Sequence, residues 1–188
     1  MLTTPRLLLR PFTADDAADL LAYRSGPLPT CFACMRLEDL AAAQAEAAQL
    51  AREGDTCLAI VRREDGRVIG EITAHGESVA PGEAPVDTYS PCWMLHEDCR
   101  GQGYACEAAR AYFDYLFDVK GARRIYAYTE TDNHGSQRLC ERLGMRREGV
   151  FVEFVTFVNN EDGTPRYEDT IQYAILKREW QAQKGETV

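Results

Sequence analysis

The stretch DCRGQGYACEAA, Asp98 to Ala109, places Gly101 and Gly103 behind Arg100 and directly ahead of a run of helix formers. Glycine loses more conformational freedom on folding than any other residue, so it is kept where the backbone must do something a side chain would prevent. The first turn of the helix that follows has N–H groups with no intrahelical partner. Together with the helix dipole they make a site for an anion such as a pyrophosphate. Gly101 and Gly103 let the backbone approach that anion with no Cβ between.

Three phosphate-bearing ligands compete for such a turn. A nucleoside triphosphate loop needs G-x-x-x-x-G-K-[ST], and no Lys-Ser or Lys-Thr follows here. A dinucleotide fingerprint needs a third glycine and an acid about 20 residues on; the chain has Cys106 and Gly121 near those positions. The pyrophosphate of coenzyme A fits the same amides. On the turn alone, a glycine bend that merely reverses the chain stays open.

The 188-residue chain suits one domain, residues 1–188. It is 45% apolar and 27% charged, and carries a formal net charge of −9. That charge argues against a nucleic-acid surface, which is normally basic. It favours a cationic substrate, or serves only solubility. No apolar run approaches the roughly 20 residues of a membrane span, and MLTTPRLLLRPF is too short and too charged for a signal peptide. The expectation is a cytoplasmic protein without a membrane partner. Seven scattered cysteines fit reduced thiols. Cys31 and Cys34 form one CFAC with no second pair, so no metal site is expected.

RLLLRPF (Arg6–Phe12) reads as a short strand, followed by a helix capped at Thr13. A Pro/Gly loop from Gly26 to about Met35 precedes an Ala-rich helix stopped by Gly54. TCLAIVRREDGRVIGEITAHG reads as a hairpin turning at Asp65-Gly66. ESVAPGEAPVD reads as a loop, and TYSPCWMLHED as a strand disturbed at Pro91. A helix from about Cys106 to Val119, the strand RRIYAYTE, a helix capped at Ser136 and stopped by Gly144, a long alternating strand, a return strand and a frayed helix or tail complete the chain. This order is a mixed α/β arrangement with a mainly antiparallel sheet, not a doubly wound parallel one.

Three ordered blocks carry a family resemblance. WMLHEDCRGQGYACEA resembles the acetyl-coenzyme A loop of the GNAT superfamily of N-acetyltransferases, [Q/R]-x-x-G-x-[G/A], filled here by Arg100, Gly103 and Ala105. TDNHGSQRLCERLGMRREG resembles that family's next block. RLLLRPF and RYEDTIQYAILKREW resemble the first strand and the closing strand and helix of the branch containing the ribosomal-protein N-terminal acetyltransferases. The resemblance implies a GNAT-like mixed, mainly antiparallel twisted sheet, splayed at its centre and flanked by helices. It implies acetyl-CoA as co-substrate, held by Arg100, Gly101, Gln102, Gly103, Tyr104 and Ala105. The cofactor's arm would pair with backbone freed by the splay at Met94, Leu95 and His96, and would be reached by Asn133. The acceptor would be a primary amine, on a small molecule or a peptide N-terminus, attacked directly in a ternary complex. A non-catalytic acetyl-CoA sensor is the alternative, and a homodimer is left open.

Acetyl transfer requires an ammonium to lose a proton, an oxyanion to be held and a thiolate to leave. In VIGEITAHG, period-two alternation puts Glu71, Thr73 and His75 on one strand face. A glutamate in a central strand is costly to bury without purpose or partner, so Glu71 is the first candidate for general base, through a water; a Glu paired with a nearby Arg is the competing reading. His75 and His96 are weaker candidates. Relatives place a tyrosine acid where this chain has Cys140, so Ser136 is the candidate proton donor, against the reading that it only caps its helix. Phe32, Trp93, Tyr112, Phe151, Phe154 and Phe157 read mostly as core. The loop from Gly26 to Met35 is where acceptor specificity is expected.

Overall fold

A computed structural model of the chain describes residues 1–77 and 86–185. In chain order the regular elements are β1 (Leu2–Thr3), β2 (Leu7–Pro11), α1 (Ala17–Arg24), α2 (Leu40–Leu50), β3 (Cys57–Arg62), β4 (Val68–Glu77), β5 (Thr88–Leu95), α3 (Tyr104–Asp118), β6 (Arg124–Glu130), α4 (His134–Arg142), β7 (Arg146–Asn159), β8 (Pro165–Leu176) and α5 (Lys177–Gly185). Short 3-10 turns at Ala14–Asp16, Thr30–Met35, Ala51–Glu53 and Glu97–Cys99 fill connections. The strands follow the order β1-β2-β3-β4-β5-β6-β8-β7 in an open sheet. The registered pairs are antiparallel except β5 with β6. This is the mixed, mainly antiparallel fold that the sequence implies. Most of the loop ESVAPGEAPVD lies outside the described residues.

The chain packs as two compact units, Met1–Thr73 with Cys92–Ala111, and Ala74–Pro91 with Tyr112–Val188. In the first, Asp39 caps α2 by accepting the Ala42 N–H at 2.8 Å. Ala43, Ala47 and Leu50, spaced to share one helix face, bury into a core with Phe12, Leu20, Tyr23, Ala59 and Met94. Asp65-Gly66 turns the β3–β4 hairpin as expected, with Gly66 at φ +75°. Thr13 precedes a 3-10 turn instead of capping α1 directly, and Asp16 returns the contact by accepting the Thr13 N–H at 2.7 Å.

In the second unit, Tyr112, Phe113, Leu116 and Phe117 of α3 are buried, as are Ile125 and Ala127 of β6 and Ile171, Tyr173 and Ile175 of β8. Within the described residues the closing segment, expected as a frayed helix or tail, forms helix α5 over Lys177–Gly185. Trp180 of α5 is buried, lies 5.5 Å from the Phe113 ring and donates its indole N–H to Asp114 at 2.7 Å. The parallel β5–β6 ladder has only the pairs Thr88↔Arg124 and Tyr89↔Ile125. Pro91, which has no N–H to give, follows shortly after the last registered pair. β7 departs from the sequence reading. Its register against β8 shifts at three places, and no residue along it is fully buried. Alternation therefore does not sort its Phe side chains into a core, and Phe151, Phe154 and Phe157 are exposed.

Candidate active site

Gly101 and Gly103 adopt φ of +74° and +84°, a backbone region that L side chains rarely enter. A Cβ on Gly101 would meet nothing within 4 Å, and one on Gly103 only the Arg6 guanidinium at 3.4 Å. The glycines are there for the left-handed turn more than for room. α3 starts at Tyr104, and Glu107 is the residue whose N–H first closes onto the turn, at the Gly103 carbonyl, 3.1 Å. The amides of Tyr104, Ala105 and Cys106 therefore precede the helical ladder, as an anion site requires.

A latch fixes this turn. Arg6 donates from Nη1 to the Gln102 carbonyl at 3.0 Å and from Nε to Glu107 at 2.6 Å, and stacks over the Tyr104 ring at 4.4 Å. Glu107 also accepts the Thr4 hydroxyl at 2.6 Å and the Arg6 N–H at 2.9 Å. Although part-burial opposes the Glu107 charge, these donors outweigh it and hold the carboxyl below its ordinary range. Gln102 donates to the Asp98 carbonyl at 2.7 Å and Arg100 to the Leu95 carbonyl at 3.3 Å, closing the bend from inside. A cleft of about 370 Å³ lined by Pro5, Arg6, Arg62, Arg63, Glu64 and Tyr104 opens beside the latch.

Met94 and Leu95 are buried where β5 crosses Gly70. A Cβ at Gly70 would stand 2.2 Å from the Met94 carbonyl oxygen, so glycine is required for that approach. The His96 N–H is already given to the Ile69 carbonyl at 2.8 Å, and its ring Nδ1 accepts the Asp98 N–H at 3.2 Å. Of the segment expected to meet the cofactor arm, the His96 amide is thus engaged within the chain.

Glu71, in the middle of β4 opposite Ala59, is 3% exposed. Arg24 donates from Nη2 to both its oxygens, at 2.8 and 2.7 Å, and the Tyr23 hydroxyl donates to Oε2 at 2.7 Å. Of the about four lone-pair positions of a carboxylate, these three bonds leave one, on Oε1. Arg24 also holds Glu46 of α2 at 2.7 Å, while its Nε has no hydrogen-bond partner. Burial works against the Arg24 charge, but Glu71 and Glu46 prevail and raise its pKa. Burial, reinforced by the Glu71 charge, pushes the Tyr23 phenol well up. The sequence reading allows an Arg partner for Glu71 but does not identify Arg24, which lies 47 residues away in the chain.

In the second unit, Asn133 caps α4. Its side-chain oxygen accepts the Ser136 N–H at 3.1 Å, and its amide donates to Glu130 at 3.4 Å. The cap expected at Ser136 is therefore supplied by Asn133, and among the described residues the Ser136 hydroxyl has no hydrogen-bond partner. Cys140 is fully buried, and burial pushes its thiol up to about 12. His75 is exposed. Cys31 and Cys34 lie on the 3-10 turn Thr30–Met35, and among the described residues no group of three or more metal-ligating side chains assembles. Nor is any described helix long and apolar enough to cross a membrane.

The chain is similar to known acetyltransferases. The family described as Acetyltransferase (GNAT) domain matches residues 6–146. YnaD of Bacillus subtilis strain 168, named as an N-acetyltransferase, is 29% identical over 187 residues, covering 95% of this chain and 98% of its own. The crystal structure of a GNAT-family acetyltransferase from Bacillus anthracis superposes with a TM-score of 0.80 at 25% identity, over 94% of this chain and 98% of the other. A ribosomal-protein-S5-alanine acetyltransferase from Vibrio fischeri shares the fold, with a TM-score of 0.70 at 16% identity over 95% of this chain and 97% of its own.

Proposed function

Since the chain belongs to the GNAT family of acetyltransferases and is therefore an acyltransferase, we propose that it transfers acetyl from acetyl-CoA to a primary amine by direct attack. The observation that carries this reading is the left-handed Gly101–Gly103 turn, latched by Arg6 and Glu107 ahead of the first turn of α3. Its amides suit the pyrophosphate, so Arg100 to Ala105 would bind that group and Met94 to His96 would border its arm. Acetyl-CoA supplies the acetyl group and a thiolate that can leave.

The protein's own groups supply proton handling. Glu71 is proposed to accept the acceptor's proton through a water, at the lone pair that Arg24 and Tyr23 leave free on Oε1. In the second unit, Asn133 and Ser136 keep the roles that the resemblance gives them, contact with the cofactor arm and protonation of the leaving sulfur. Cys140 is a poor donor because burial raises its thiol.

Acetyl-CoA should raise the melting temperature of the protein, because a ligand that binds only the folded state stabilises it by mass action. Thiol release should then follow addition of a suitable amine. In Gly103→Val the backbone must leave φ +84°, so acetyl-CoA affinity should fall by roughly tenfold or more. Undiminished affinity in that variant would move the site elsewhere. Binding with no thiol release across a broad panel of amines and peptides would replace the enzyme with a sensor.

A further inference from the structure

Glu130, the last residue of β6, is a buried carboxylate, 7% exposed, and among the described residues it has no cationic partner. Its side chain receives one long hydrogen bond, from the Asn133 amide at 3.4 Å. Buried charges are normally paired or metal-bound, because desolvation of a lone carboxylate is costly. The strand registers show what lies beside it. Glu130 pairs with Thr170 of β8, and Thr170 pairs with Phe151 of β7. Directly opposed residues of antiparallel strands share a sheet face, so these three form one row. Thr170 is 3% exposed, and its hydroxyl oxygen has no hydrogen-bond partner.

The neighbouring row begins at Tyr128, and here the irregularity of β7 matters. In a regular strand Phe151 and Phe154, three apart, would point to opposite faces. Between Phe151 and Val155 the register slips. Glu153 takes φ +49°, and its N–H is held by Asp169 at 2.8 Å. The slip brings both rings to one side: Phe151 and Phe154 lie 5.0 Å apart, and their centroids are 6.0 and 5.5 Å from that of Tyr128. All three rings stay more than a third exposed. An open cluster of aromatic faces beside a carboxylate with no cationic partner among the described residues and a hydroxyl with no hydrogen-bond partner has the chemistry of an ammonium site. The carboxylate and the hydroxyl oxygen accept N–H bonds, and ring faces attract the charge and its alkyl chain. The net charge of −9 favours a cationic ligand further.

We propose that Glu130, Thr170, Tyr128, Phe151 and Phe154 bind an alkylammonium ligand, which the acetyl-transfer reading would make the acceptor. Its identity as acceptor rests on the acetyl-transfer reading above; the binding site does not. The test is an NMR titration of the full chain with butylammonium chloride and, separately, with 1-butanol, following the aromatic signals. Butylammonium should bind about tenfold or more tightly than butanol, the difference a charge-assisted bond makes, and Glu130→Gln should abolish that preference. Phe154→Ala, at a half-exposed ring, should weaken butylammonium roughly two- to fivefold, and carries the test if Glu130→Gln does not fold. Equal binding of the two probes, or a preference that survives both substitutions, overturns the site. The KM for any amine that supports thiol release should rise in Phe154→Ala, and an unchanged KM overturns its assignment to the acceptor. If no amine supports thiol release, the acetyl-transfer reading falls, and the NMR preference still decides the site.

Discussion

Two buried glutamates, one in each compact unit, differ in how they are satisfied. Glu71 is 3% exposed and is gripped by Arg24 and Tyr23 through three short bonds. Glu130 is 7% exposed and has one long bond from Asn133. A carboxylate in a low-dielectric interior needs a cation or several donors. Glu71 finds them within its own unit, whereas Glu130 finds none among the described residues and is completed by whatever cation reaches the face of β6, β8 and β7. The first arrangement is finished by folding, and the second is left for a ligand.

The most severe way to probe the finished side is to neutralise it. Glu71→Gln should lower turnover by roughly 10²–10⁴-fold if the free lone pair on Oε1 takes the acceptor's proton. Acetyl-CoA affinity should hold. Steady-state rates across pH decide the matter: a variant with an unaltered pH–rate profile would make Glu71 purely structural, a partner for Arg24.

Removing the cation tests the pairing itself. Arg24→Met leaves Glu71 buried beside an apolar side chain, and breaking a buried pair in this way costs about 3–5 kcal/mol. At roughly 2–4 °C per kcal/mol for a chain of this size, the melting temperature should drop by about 6–20 °C. The double variant Arg24→Met with Glu71→Met should recover part of that loss, since both charges are gone. A stable single variant would mean that Glu71 does not depend on its guanidinium, and the contrast with Glu130 would collapse.

These two carboxylates also mark where the sequence was legible. Glu71 stood out because a charged residue in the middle of the strand VIGEITAHG is costly to bury, and the glycine turn stood out because few physical reasons put Gly101 and Gly103 before a helix. The element order and the hairpin at Asp65-Gly66 followed from the same local signals. Glu130 escaped because it ends its strand, where a glutamate reads as facing solvent. The aromatic cluster escaped because period-two alternation separates Phe151 from Phe154, and only a left-handed Glu153 reunites them. Arg24 escaped because its partners are 22 and 47 residues away. The Asn133 cap was missed by a smaller margin, since both Asn and Ser favour that position and the chain offers each within one turn.

That margin has a catalytic consequence. With Asn133 as the cap, Ser136→Ala removes no capping bond, so its melting temperature should barely move. If the hydroxyl protonates the leaving sulfur, turnover should nonetheless fall by roughly 10²-fold. Cys140→Ala should do the reverse, because a fully buried side chain is being shortened. The expected cost is about 1 kcal/mol of stability with little loss of rate. Normal turnover in the serine variant would leave the thiolate to depart unaided or to be protonated by solvent.

The smallest effect bears most directly on the comparison. Glu130→Gln should not destabilise the protein, and should raise the melting temperature by a few degrees. The carboxylate carries a desolvation cost that no cation among the described residues offsets, and an unsatisfied buried group costs about 1–3 kcal/mol. A neutral amide of the same shape sheds the charge. Its oxygen can keep the bond from Asn133. The expected gain is near the lower end of that range, about 1 kcal/mol, or roughly 2–4 °C. Melting the wild type and the variant with and without butylammonium should then invert their order. The wild type gains from the amine by mass action, the variant does not, and the advantage of the neutral side chain disappears. A Glu130→Gln melt depressed as far as that of Arg24→Met would show that Glu130 is already satisfied, and that the two carboxylates are alike.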